Sequence, residues 1–127
     1  MQIAIKIVVG LMALLFTLMG LNLMFNPESA PVQFGIEAAG MHGLSTLRGD
    51  LGGMFLGAAV MLGWGVLRGR TTLFLAVAVL MGAIAFGRII GFVADGANGQ
   101  VIMPFIVELV MVVVLVFAHV RLGGANN

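Results

Sequence analysis

The chain has no cysteine and no tyrosine, one tryptophan, three prolines, and charged residues at only 9% of its 127 positions. Each shortage excludes something. Without cysteine there is no disulfide, no thiol nucleophile and no thiolate-bound metal. Without tyrosine a common general acid is missing. A soluble domain carries about 25% charged residues, so this chain has almost nothing with which to cover a watery surface. The formal net charge of +1 leaves no room for the basic stripe that marks a nucleic-acid binder, and nucleic acid is not an expected partner. No G-x-S-x-G, H-E-x-x-H, P-loop or dinucleotide fingerprint occurs. Thr17, Ser29, Ser45 and Thr46 have no neighbouring base that would mark a nucleophile. No catalytic residue, cofactor or metal site is expected.

What the chain has is apolar surface. Hydrophobic residues make up 61%, gathered in four runs that read as helices over residues 3–25, 47–67, 71–94 and 102–120. Each approaches the ~20 residues that cross a hydrocarbon core. The expected fold is an all-α membrane protein, one domain over residues 1–127, in which four transmembrane helices form an antiparallel bundle. The first run, from Ile7 to Phe25, is longer than the ~7–15 apolar residues of a signal peptide, and is read as a retained helix.

The connections differ in kind. Residues 26–46 form a long loop with turn signals at Asn26-Pro27, Pro31 and Gly35, and its stretch Val32 to Ile36 is expected at the membrane interface. Ser45 or Thr46 would cap the second helix, and Thr71 or Thr72 the third. Arg68-Gly69-Arg70 is so short that the helices it joins must be antiparallel neighbours. Asp95 to Gly99 is turn chemistry, and Pro104 falls in the first turn of the last helix, where a missing N–H does little harm.

Charge sets an orientation. Lys6, Arg68, Arg70 and Arg121 lie on the N-terminal side with no acid, whereas Glu28, Glu37 and Asp95 lie on the other. The positive-inside rule then places both termini in the cytoplasm, with Trp64 at the cytoplasmic interface.

Hairpin geometry brings the remaining charges together. Asp50 stands nineteen residues before Gly69 and Arg88 nineteen after it; Arg88 stands ten before Asn98 and Glu108 ten after it. At ~1.5 Å rise per residue, Asp50, Arg88 and Glu108 reach one layer in the outer half of the bundle, with Arg48 nearer the surface. Asp95 extends the Arg88 and Phe92 face of the third helix. A lone Arg in lipid is costly, and the two Arg against Asp50 and Glu108 sum to zero. This constellation reads either as a clamp that sets helix register or as a polar site for a headgroup, a quinone or a proton path.

Glycines recur at spacing four, as Gly49, Gly53 and Gly57 in the second helix and Gly87 and Gly91 in the third. Such spacing permits close helix packing in lipid, either between these two helices or across a dimer seam. His42 and His119 fall at opposite membrane faces and make no metal site. His119 shares a helix face with Glu108, although Val112 and Leu115 fill the gap between them. The ten methionines read as gap fillers.

Three stretches carry a family likeness: Gly43-Leu44-Ser45-Thr46-Leu47-Arg48-Gly49-Asp50 followed by Gly52-Gly53, Gly87-Arg88 followed by Asp95-Gly96, and Glu108 in the last helix. Asn26-Pro27 also fits. With these, the chain resembles a bacterial membrane family known only as a domain of unknown function, and its layout is similar to the DoxX-like group in topology. The resemblance implies a multi-pass protein of the inner membrane and transfers no catalytic residue. The expected role is that of an accessory or scaffold subunit surrounded by membrane lipids, packing with a larger membrane complex or with itself. The alternative is binding or transport of an amphiphile, a lipid or quinone, at the outer charged layer.

Overall fold

The computed structural model describes residues 1–30 and 34–123. Its regular elements are all helical, and no strand occurs among the described residues. Helix α1 covers Gln2–Phe25, α2 Gly40–Arg68, α3 Thr72–Asp95 and α4 Gly99–Gly123. A 3-10 turn, Pro27–Ser29, follows α1. The shorter helices have 24 residues, which at ~1.5 Å per residue exceeds the ~30 Å hydrocarbon core. All four helices are long and apolar enough to cross a membrane, as expected for a multi-pass membrane protein.

Two boundaries depart from expectation. Helix α2 begins at Gly40, not near 47, and so takes up part of the expected loop. Its first residues, Gly40–Thr46, contain no buried side chain. That turn therefore lacks the apolar stripe by which a helix is read from sequence. Thr46 is not a cap; its hydroxyl donates to the His42 carbonyl at 3.1 Å from inside the helix. Helix α4 begins at Gly99, which moves Pro104 beyond the first turn and deprives the Gln100 carbonyl of its helical donor. The actual cap there is Asn98, whose Oδ1 accepts from the backbone N–H of Gln100 at 2.9 Å and of Val101 at 3.3 Å. At α3, neither expected cap is used: Thr71 precedes the helix without capping it through its side chain.

The chain packs as two compact units, one of Ile7–Gly63 and one of Met1–Lys6 together with Trp64 onward. In the first, α1 buries Val9, Met12, Ala13, Phe16 and Leu23, a stripe at helical spacing. Leu23, Ala30 and Leu47 form a small core with Phe34 and Phe55 packed against it. Phe55 meets Phe16 and Phe34 with ring centroids 5.5 and 6.0 Å away. Phe34, from the segment expected at the membrane interface, is thus turned inward, and Pro31, Val32 and Gln33 lie outside the described residues.

Helices α1 and α2 approach closely in this unit at Gly20 and Gly52. A Cβ on Gly20 would stand 2.7 Å from Leu56 Cγ and 3.0 Å from the Gly52 carbonyl oxygen; one on Gly52 would stand 3.0 Å from Met24 Cγ. By contrast, a Cβ at Gly49, Gly53, Gly57, Gly87 or Gly91 would meet nothing within 4 Å. Spacing four thus picked out glycines other than the tight ones. The contact selects for a small residue at one crossing point, and a crossing point has no periodicity.

In the second unit, Gly69 turns the chain with φ of +66°, a conformation open to glycine at no steric cost. Helix α3 buries Phe74, Val77, Ala78, Met81 and Ala85, and α4 buries Glu108, Leu115, Ala118 and Leu122. Arg88 continues the α3 stripe by one further turn, and Glu108 belongs to the α4 stripe. Both charges therefore sit on packing faces, at positions an apolar residue would otherwise fill.

Candidate functional site

Arg88 and Glu108 meet across the α3–α4 hairpin. The Arg88 Nε–H is shared between both carboxylate oxygens, at 2.8 and 2.9 Å. Glu108 is buried, and the Arg88 side chain is about one-third exposed. One turn nearer the Asn98 loop, Phe92 and Phe105 pack edge to face at 5.2 Å. The level arrangement expected from counting residues around Asn98 is therefore present for this pair. The geometry differs from a two-bond fork, because one N–H straddles the carboxylate and both terminal amino groups of Arg88 find no acceptor among the described residues.

The other predicted charges are placed differently. Asp95 is the last residue of α3 and is exposed. Arg48 and Asp50 belong to the Ile7–Gly63 unit, and both are exposed. Arg48 Nη1 donates to the carbonyl of Met24. That carbonyl lies in the last turn of α1, where backbone oxygens lack helical partners and the helix dipole is negative, so a cation is doubly favoured. Nearby, Asn22 Nδ2 donates to Ser29 Oγ, and the Ser29 hydroxyl donates to the Asn26 carbonyl, both at 2.8 Å.

Two features escaped sequence reasoning. The first is the conformation of Leu47–Gly52, a π-helical turn inside α2. Its six residues, LRGDLG, overlap the stretch that carries the family likeness. A π turn inserts an extra residue and re-aims the side chains around it, and such turns are common at functional sites. Its only legible signal is the density of glycine at Gly49, Gly52 and Gly53. The second is His119, whose Nδ1 lies 3.0 Å from the Thr71 carbonyl oxygen and 3.1 Å from Thr71 Oγ1. This contact joins the end of α4 to the start of α3. It uses His119 Nδ1 to tie the two helix ends together. Among the described residues no group of His, Cys, Asp and Glu is gathered in a way that could hold a metal ion.

The model of a family described as "Domain of unknown function (DUF4345)" matches residues 4–119. No curated protein and no solved structure matches the chain.

Proposed function

The chain belongs to the DUF4345 family, and from the structure of this member we propose a small inner-membrane protein without catalytic activity, an accessory or scaffold subunit. It packs through the outer sides of its helices against a larger membrane complex or a second copy. The observation that carries this reading is the Arg88–Glu108 pair: the deepest charges of the hairpin neutralise one another and hold two helices together. The outward surface is consistent with it, since only 17% to 33% of each spanning segment is buried. The positive-inside rule favours a cytoplasmic location for the end that carries Lys6, Arg68, Arg70 and Arg121.

A second reading has its own observation. The unengaged terminal amino groups of Arg88 are suited to the headgroup of an amphiphile, a lipid or a quinone, in the outer half of the membrane.

Native mass spectrometry after mild extraction from the source membrane separates the two. A stoichiometric protein partner, or a dimer, supports the accessory role. A retained small molecule that is lost in Arg88→Lys, a variant that keeps the charge, supports the ligand role and overturns the first reading.

A further inference from the structure

The end of the protein at which α3 begins and α4 finishes carries a cavity and an excess of cations that neither reading uses. We propose that it binds a phosphate-bearing anion, supplied by the headgroup of an acidic membrane lipid. Every group concerned lies in one compact unit, and the proposal is independent of the accessory role and of which way the protein faces.

The cavity has a volume of about 90 Å³ and is lined by Gln2, Lys6, Gly65, Gly69, Thr71 and Leu122, among others. That is room for several waters or one phosphate group, and too little for a partner helix. Lys6 brings a cationic residue to its lining. Arg68, Arg70 and Arg121 stand at the same helix ends, all exposed. No acid accompanies them: the acids of this unit, Asp95 and Glu108, lie in the last turn of α3 and the first half of α4. Two of the cations are stacked on aromatic rings, Arg68 at 4.9 Å from the Trp64 centroid and Arg121 at 5.3 Å from Phe117. Such pairs hold a guanidinium at headgroup level while the ring stays in the apolar layer.

Thr71 gives the cavity direction. It is 8% exposed, and both its carbonyl oxygen and its Oγ1 lie within hydrogen-bond distance of His119 Nδ1, at 3.0 and 3.1 Å. That contact fixes Thr71 in the lining of the cavity. A buried threonine at the positive end of a 24-residue helix, with Lys6 lining the same cavity, is an arrangement that favours an oxyanion. A lipid headgroup fits better than an acidic protein segment, because the aromatic-backed cations mark the membrane interface and the cavity admits only a small group.

The test places the protein in nanodiscs of equal phosphatidylglycerol and phosphatidylcholine, and counts the lipids retained after transfer to detergent by native mass spectrometry. Selective retention of phosphatidylglycerol is expected. Lys6→Gln and Arg70→Gln should each reduce that selectivity about fivefold, the effect of removing one cation at an anionic surface. Thr71→Val should reduce it with the helix content unchanged. Excess inorganic phosphate identifies the source: displacement of the lipid shows that the phosphate group alone is recognised, and retention shows that the whole lipid is. Equal retention of the two lipids by the unsubstituted protein overturns the proposal without recourse to any variant. So does unchanged selectivity in Lys6→Gln/Arg70→Gln, or an acidic protein that co-purifies in place of lipid.

Discussion

Glu108 is buried on the packing face of α4, and its carboxylate is tolerable there only because Arg88 faces it. Removing one partner leaves the other charge without compensation, which costs about 3–5 kcal/mol in a buried pair. Arg88→Ala is therefore expected to lower the thermal midpoint sharply or to abolish accumulation in the membrane. Arg88→Ala/Glu108→Ala should recover part of that loss, because no unpaired charge remains; a double variant no better than the single one would show that the pair is not the clamp. Glycine offers a second contrast. Gly20→Ala drives a methyl group into Leu56 and the Gly52 backbone and should destabilise the protein by about 1–3 kcal/mol, as overpacking does. Gly57→Ala meets nothing within 4 Å and should be tolerated. Detergent melting curves of the two variants side by side decide this. The spacing of the glycines singles out Gly57 and passes over Gly20, which is why the pair with a structural role was not legible in advance.

At the scale of elements, what could be read from the sequence was what repeats. Four apolar runs became four helices, and counting residues outward from Asn98 brought Arg88 to Glu108, because two antiparallel helices joined by a short turn share one ruler. What could not be read was local and aperiodic. The exposed first turns of α2 have no stripe, the π turn at Leu47–Gly52 has no period of its own, and the hydrogen bond from Arg48 to Met24 joins residues 24 positions apart. The ends of the α3–α4 hairpin can be tested by substitution. Asn98→Ala removes the oxygen that satisfies two backbone donors of α4 and should cost about 1 kcal/mol. His119→Phe fills similar space but breaks the bond to Thr71, with a loss of about 0.5–1.5 kcal/mol. Hydrogen exchange localises either effect: faster exchange is expected in the first turn of α4 for Asn98→Ala and at its last turns for His119→Phe. Uniform exchange along α4 in both variants would contradict these assignments.

For the whole molecule, composition alone settled the solvent, since a chain with 9% charge has an interior and an exterior that are nearly alike. For the same reason it did not reveal how the helices divide. Periodicity shows which side of a helix is covered and is silent on what covers it, and the two compact units emerged only from the structure. Orientation rests on the basic end. If the basic end is cytoplasmic, a single Cys introduced at Glu37 should react with an impermeant thiol reagent added outside the cytoplasm, and one at Gly69 should not; the reverse pattern would invert the protein.

The ion pair of the hairpin also has a consequence for synthesis. Arg88 and Glu108 are twenty residues apart, so the arginine leaves the ribosome well before its counter-ion. Until the last helix follows, the third carries a bare guanidinium that lipid resists. The expected result is a delay, in which the third segment inserts fully only once the fourth can accompany it. The two segments then enter the bilayer as a neutral couple, and the order of translation becomes part of how the membrane barrier is crossed.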